Sequence, residues 1–148
     1  MRISTRLGVA LAAITALVAT TGGVASAATA GYYVAAKHSS GRVAASSGGD
    51  LTWSSSLRTV TISNAYFSVI AGEWGDVSWQ GYQGNTEVDS GTWKELDQRG
   101  LGGRTVNYKP FTLTADVPGG ITNVRITVRD IDHQIVAKVH CYYYMTSC

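Results

Sequence analysis

Asp130, Asp132 and His133 are the residues whose types and spacing come nearest to a metal-binding motif. Carboxylate oxygens two positions apart can share a hard cation such as Ca²⁺. The same residues lie between two predicted strands, where aspartate is favoured because its side chain caps backbone amides in turns. No CxxC or histidine-rich spacing points to zinc. We therefore expect a turn here, and we predict neither a metal nor any other cofactor.

The common catalytic motifs are missing from the sequence. There is no GxSxG nucleophile turn, no HExxH, no GxxxxGK[ST] phosphate loop and no GxGxxG after a strand. The three histidines are scattered over different predicted elements: His38 lies in the leader, His133 in a turn and His140 on the outer face of the last hairpin. Because catalytic triads assemble in space, sequence order alone does not exclude one. The missing motifs favour a protein that is not an enzyme.

Aromatic residues are the better candidates for recognition. The chain has four tryptophans and eight tyrosines, and protein interfaces are enriched in Trp, Tyr and Arg. Two or three tryptophans are expected to fill the core, whereas consecutive tyrosines at 142–144 must expose at least one ring if they lie on a strand. The predicted partner-binding residues combine aromatic and basic side chains: Tyr32, Tyr33, Lys37, His38, Tyr82, Arg125, Lys138, His140, Tyr142 and Tyr144.

Residues 1–27 have the pattern of a secretory signal peptide. Arg2 and Arg6 precede an apolar run from Leu7 to Val18, and Ala25-Ser26-Ala27 matches the small-x-small cleavage site. The run is too short to span a bilayer as a helix. The sequence therefore predicts a secreted, extracellular protein of residues 28–148, with no membrane attachment after cleavage.

The charge balance excludes two classes of partner. The chain has twelve Lys and Arg against ten Asp and Glu. Two of the twelve, Arg2 and Arg6, lie in the predicted signal peptide, so ten remain against ten and the net charge is zero. Nucleic-acid binding and polybasic membrane anchoring both need a basic surplus. We expect neither, and other secreted proteins or glycans are the remaining partner classes.

Residues 28–50 differ in composition from the rest of the chain. Ala, Ser and Gly dominate, and 39–41 and 46–49 resemble flexible-linker sequence. The exception is Tyr32-Tyr33-Val34-Ala35-Ala36-Lys37-His38. The segment is predicted to be a flexible leader, and two interpretations of the tyrosines are open: a docking peptide that orders on a partner, or a loosely held first strand.

From Leu51 onward the hydrophobic period is two, which predicts strands. The clearest pattern is a hairpin through 131–134, because one register places every apolar residue of both strands on the same face. Its inward pairs are Val128–Ala137, Ile126–Val139 and Val124–Cys141, and its outward pairs are Arg125–His140 and Thr127–Lys138.

Other segments show the same period, with turns at Pro118-Gly119-Gly120 and Arg99-Gly100-Leu101-Gly102-Gly103. Val60 and Ile62 share one parity but Phe67 and Val69 take the other, which predicts a bulge or break near Asn64. Seven to eight short strands over 51–148 are typical of an all-β, immunoglobulin-like antiparallel sandwich.

Cys141 and Cys148 are the two cysteines of the chain. In an oxidising compartment they are predicted to pair with each other. So short a loop is worth roughly 2 kcal/mol, so the disulfide is expected to fasten a tail rather than to support the fold.

A signal peptide, a short Ala/Ser/Gly leader and a sandwich ending in GITNVRITVRDIDHQIVAKVHCYYY resemble the small secreted β-sandwich proteins of Streptomyces and related actinobacteria. One branch of that group is the adaptor subunit of the umbrella toxin particles, which links a lectin-bearing subunit to a toxin scaffold. The resemblance covers residues 51–148 and implies an adaptor role, but it assigns no site residues.

The leading hypothesis is thus a secreted, non-enzymatic protein-binding module that serves as an adaptor in a toxin assembly. A carbohydrate-binding module is one alternative, because sugar sites also use exposed aromatic rings. A secreted protease inhibitor is another, in which Lys37 or Arg42 of the flexible segment occupies a trypsin-like cleft.

Overall fold

The computed structural model describes residues 27–148, and residues 1–26 of the predicted signal peptide lie outside this part of the chain. The strands of the described part are β1 Ala28–Lys37, β2 Val43–Trp53, β3 Thr59–Val69, β4 Trp74–Gln83, β5 Thr86–Asp97, β6 Arg104–Asn107, β7 Phe111–Thr114, β8 Asn123–Asp130 and β9 Ile135–Tyr142. Within residues 27–148, no helix has the length and hydropathy needed to cross a membrane.

The strands form two antiparallel sheets that pack as a sandwich. The first sheet has the order β1-β2-β3, with both β6 and β7 paired to β3, and the second has the order β5-β4-β8-β9. β6 and β7 pair with opposite ends of β3 and act as one strand that is interrupted around Pro110, whose nitrogen carries no proton to donate. The order matches an immunoglobulin-like sandwich, and β1 is an additional strand.

The predicted terminal hairpin is confirmed in every pair. β8 and β9 align Val124 with Cys141, Ile126 with Val139 and Val128 with Ala137. The outward pairs Arg125–His140 and Thr127–Lys138 also have the predicted register. The inward residues of β8 are fully buried. A register shifted by one residue would turn the apolar side chains of one strand to solvent, so only the observed register buries both sets.

The predicted irregularity near Asn64 is a bulge in β3. Gly48 pairs with Tyr66 but Asp50 pairs with Ser63, so β3 has one residue more than β2 over this stretch. Asn64 takes a left-handed conformation with φ of 51°, and its side-chain amide donates to Asp50 Oδ2 at 2.8 Å. Because the bulge adds one residue, the apolar side chains before it and those after it all face the core, although their positions have opposite parity.

The flexible leader predicted for residues 28–50 is wrong, because these residues form β1 and most of β2. Ala30, Tyr32, Val34 and Ala36 alternate along β1 and are at most 6 % exposed. The domain therefore begins at Ala28 rather than at Leu51. Small side chains gave this strand a weak hydrophobic pattern, although the period of two is present.

The Ser-Gly stretch at 46–49 also belongs to the sheet. Ser47 is fully buried and its hydroxyl donates to the carbonyl oxygen of Tyr66 at 2.7 Å. A Cβ at Gly48 would lie 2.8 Å from Cε1 of the Tyr66 ring, which crosses the strand there. These residues allow close approach between strands; they are not a linker.

The predicted Cys141–Cys148 disulfide is present. Its position gives it a larger role than the sequence suggested. Residues 146–148 lie beside the free edge of β1: Gly31 N–H donates to Thr146 O and Cys148 N–H donates to Gly31 O. Cys141 belongs to β9, so the disulfide and the tail connect an edge strand of the second sheet to an edge strand of the first.

Candidate functional site

The solvent-facing side of the second sheet brings together the predicted binding residues of the terminal hairpin. Arg125 lies opposite His140 on β9 and opposite Gln80 on β4. Lys138 lies opposite Thr127, which pairs with Ser78. We call this surface the basic face, and it comprises Ser78, Gln80, Trp93, Arg125, Thr127, Arg129, Val136, Lys138 and His140.

Two arginines of the basic face are held in fixed positions. Arg129 donates from Nε to Asp76 Oδ1 at 2.8 Å and from a terminal nitrogen to Asp76 Oδ2 at 2.6 Å. This bidentate pair raises the pKa of Arg129. The Arg125 guanidinium stacks 4.2 Å above the centroid of the Tyr82 ring. Both cations are thus ordered before any partner arrives.

His140 contributes little positive charge to the basic face near neutral pH. Partial burial lowers the pKa of its imidazole below the ordinary 6.5, and the neighbouring charges of Arg125 and Lys138 lower it further. Three cationic side chains therefore lie on the face at pH 7: Arg125, Arg129 and Lys138. Asp76 pairs with Arg129, and Glu87 lies 4.0 Å from Arg125.

Trp93 is the functional candidate that the sequence did not single out. Its position opposite Ser78 turns the indole toward solvent, and the residue is 52 % exposed. β5 is an edge strand whose alternate residues are mostly polar, so no hydrophobic pattern marks its faces. The register with β4, which shifts around Gly81, decides the orientation and is not visible in the sequence.

Tyr32 is not a surface anchor, which corrects the prediction for this residue. Its side chain points between the sheets and is 5 % exposed, because it has the inward parity of β1. Tyr33 and Lys37 have the opposite parity and are exposed on the first sheet, on the other side of the sandwich from the basic face. The structure does not join them to the remaining predicted residues.

The other tyrosines differ in exposure. Tyr82 has the outward parity that was predicted, but it is only 6 % exposed, because Arg125 covers its ring and its hydroxyl donates to Glu87 at 3.0 Å. Tyr142 stacks on Tyr144 with 5.5 Å between centroids. Tyr144 is 68 % exposed. At least one exposed ring was predicted for the three consecutive tyrosines on a strand, but β9 ends at Tyr142 and Tyr144 lies in the turn that follows.

His38 belongs to a separate cluster at one end of the sandwich. Its Nε2 lies 3.1 Å from Glu73 Oε1 and 3.8 Å from Asp130 Oδ2. His133 Nδ1 lies 2.9 Å from Asp130 Oδ2 and 3.2 Å from Glu73 Oε2. The two imidazole rings meet edge to face at 4.6 Å. Four potential metal ligands therefore converge, and we call them the His/carboxylate cluster.

Of the three residues that the sequence analysis considered as metal ligands in the 130–133 turn, only two lie in the cluster. Asp130 and His133 belong to the His/carboxylate cluster. Asp132 does not, and its carboxylate lies 3.7 Å from the guanidinium of Arg99. His38 and Glu73 come from turns distant in sequence, so no local motif could have identified the group.

Comparison of the chain with protein-family models, with curated proteins and with solved structures finds no match.

Proposed function

We propose that this chain is a secreted, non-enzymatic module that binds another protein through the basic face. The observation that carries the proposal is the exposed indole of Trp93 on the same face as three cations. Trp93 and Val136 are each about half exposed, at 52 % and 51 %. Exposed apolar side chains next to ordered arginines are the composition of an interface centre.

The ordering of the cations strengthens the argument for a specific site. Binding costs free energy when mobile side chains must be fixed. Arg125 and Arg129 are already fixed by Tyr82 and Asp76, so this cost is small. Asp76 and Glu87 offset the charges of these two arginines, whereas Lys138 is exposed and makes no ion pair among the described residues, so the face has a net positive charge. The face is therefore complementary to a protein surface that carries carboxylates around an apolar patch.

Secretion is part of the proposal. The signal-peptide pattern of residues 1–27 supports it, and the Cys141–Cys148 disulfide is consistent with an oxidising compartment. Edman sequencing or intact-mass measurement of the protein from culture supernatant should place the new N-terminus at Ala28. A protein that retains residues 1–27 and remains inside the cell would contradict this part of the proposal.

The adaptor role implied by the resemblance is a more specific version of this protein-binding proposal. An adaptor holds two different proteins at once, so it requires a second surface besides the basic face. The inhibitor alternative has less support, because the segment that was to supply a flexible Lys37 or Arg42 is ordered: Lys37 ends β1 and Arg42 donates to Glu73 at 2.6 Å. The carbohydrate alternative keeps Trp93 as a stacking platform, with Ser78, Gln80 and Thr127 as polar neighbours.

The test uses the full secreted chain immobilised and exposed to culture supernatant of the producing organism. Trp93→Ala and Lys138→Glu each remove one component of the basic face. Tyr33→Ala is the matched control, since Tyr33 is an aromatic residue with similar exposure on the opposite sheet. We expect a stoichiometric protein partner that is retained by wild type and Tyr33→Ala but lost by the two basic-face variants.

The other outcomes separate the alternatives. Retention of the chain on chitin or cellulose, lost with Trp93→Ala, would replace the protein partner with a glycan. Two partners, of which one survives Trp93→Ala, would support the adaptor role. Partner binding that depends on Tyr33 but not on Trp93 would show that the basic face is the wrong surface.

A further inference from the structure

We infer that the His/carboxylate cluster is a structural zinc site, with His38, Glu73, Asp130 and His133 as its four ligands. This inference is independent of the proposed function, because the cluster lies in turns at one end of the sandwich and not on the basic face.

The four ligands lie in or next to three loops that connect strands. His38 follows β1, Glu73 lies in the connection between β3 and β4, and Asp130 and His133 flank the start of the β8–β9 turn. These connections belong to both sheets. Glu73 is 3 % exposed and Asp130 is fully buried, so the carboxylates are fixed in place by the sandwich itself.

The separations between ligand atoms match the requirement of a zinc ion. Metal–ligand bonds of about 2.0–2.2 Å in a tetrahedron give ligand–ligand edges of about 3.3–3.6 Å. His133 Nδ1 lies 2.9 Å from Asp130 Oδ2 and 3.2 Å from Glu73 Oε2. His38 Nε2 lies 3.8 Å from Asp130 Oδ2 and 3.1 Å from the other Glu73 oxygen, Oε1. One ligand atom from each residue lies within 4.8 Å of all the others. Small side-chain rotations would place all four atoms on one ion.

The types of ligand select the metal. Two imidazole nitrogens disfavour Ca²⁺ and Mg²⁺, which prefer oxygen ligands only, and a tetrahedral set of two nitrogens and two oxygens suits Zn²⁺. All four positions are supplied by protein, which is the arrangement of a structural site rather than of a catalytic one.

An unsatisfied atom points to the same conclusion. Glu73 Oε2 is buried and accepts no hydrogen bond, although it faces His133 Nδ1. Buried carboxylate oxygens normally have a partner. The other oxygen, Oε1, accepts from Arg42 at 2.6 Å. The same guanidinium lies 3.4 Å from His38 Nε2, which is itself 3.1 Å from Oε1. Arg42 thus orients the carboxylate through Oε1 and leaves Oε2 as the oxygen that can bind a metal.

The competing interpretation is a metal-free network in which the imidazoles donate hydrogen bonds to the carboxylates, such as His133 Nδ1 to Asp130 Oδ2 at 2.9 Å. This network leaves Glu73 Oε2 without a partner. The two interpretations differ in whether the chain binds zinc with a defined stoichiometry.

The experiment is calorimetric titration of the untagged, chelator-treated chain with ZnCl₂, together with visible absorption after addition of Co²⁺. We expect one Zn²⁺ per chain, a higher melting temperature with zinc, and the intense absorption of tetrahedral Co²⁺. His133→Ala should weaken zinc binding by more than about tenfold, because even outer-shell changes cost that much. His133 is half exposed, so this variant should fold.

Asp132→Asn is the matched control, since Asp132 lies beside His133 in the same turn but outside the cluster. It should bind zinc as the wild type does. Glu73→Gln preserves shape and should weaken binding, which separates loss of a ligand from loss of folding. Three results would each overturn the inference: no zinc binding by the wild type, equal affinity of wild type and His133→Ala, or an octahedral Co²⁺ spectrum.

Discussion

The indole Nε1 of Trp79 donates a hydrogen bond to the hydroxyl of Tyr32, with 2.8 Å between the two atoms, inside the core. Tyr32 lies on β1 of the first sheet and Trp79 on β4 of the second, so the bond crosses between the sheets. Burial raises the pKa of the Tyr32 hydroxyl above its ordinary 10.0, and the group stays neutral. A residue that the sequence suggested as a docking anchor is thus a structural link between the two layers.

Tyr32→Phe should destabilise the protein by about 1–3 kcal/mol, because the Trp79 N–H is left buried without an acceptor. Urea denaturation of the purified chain measures the change. Tyr33→Phe is the control, and it should change the free energy of unfolding by less than about 0.5 kcal/mol because that side chain is exposed. Equal effects of the two substitutions would contradict the assignment of Tyr32 to the core.

Deletion of residues 28–37 should abolish cooperative unfolding. The deletion removes β1 and exposes core residues such as Leu51 and Trp53 on β2, which are fully buried in the intact chain. Thermal melts followed by circular dichroism and the dispersion of an NMR spectrum report the outcome. A truncated chain that melts as the wild type does would show that the segment is a leader after all.

Cys148→Ser should lower stability by about 2 kcal/mol through loss of the short loop closure, which corresponds to roughly 5–10 °C in melting temperature for a domain of this size. It should also release residues 146–148 from β1. The Tyr33 amide, which donates to Cys148 O at 3.1 Å, should then exchange its hydrogen faster. An unchanged exchange rate at Tyr33 would mean that the backbone bonds hold the tail without the disulfide.

His140 should titrate below its ordinary pKa of 6.5, chiefly because of burial and secondarily because of Arg125 and Lys138. The unfolded chain then binds the proton at higher pH than the folded chain does. The contribution of His140 to stability is therefore lost as the pH falls from about 6.5 to the folded-state pKa. NMR titration of the imidazole measures that pKa, and Lys138→Gln should raise it partway. A pKa above 6.5 would contradict the described environment.

The terminal hairpin was predictable because alternation in β8 and β9 is strong and admits one register only. The bulge at Asn64 followed from the change of parity within β3. β1 was only one of two open interpretations, because half of its buried residues are alanines, which carry little hydrophobic signal. The His/carboxylate cluster was missed for a different reason: His38 and His133 meet only after both sheets are paired, and nothing local marks that contact.

The pairing of Gly31 with Cys148 sets an order of events for the growing chain. The two residues are 117 positions apart, and contacts at such separation form slowly because a long loop must close first. Until Thr146 and its neighbours are synthesised, the outer edge of β1 has free backbone donors and acceptors, which are a template for pairing with another chain. A chain cut short before Thr146 keeps that edge open permanently. Residues 146–148 thus occupy the outer edge of β1 at Gly31 and Tyr33 and leave no room there for a strand of another chain.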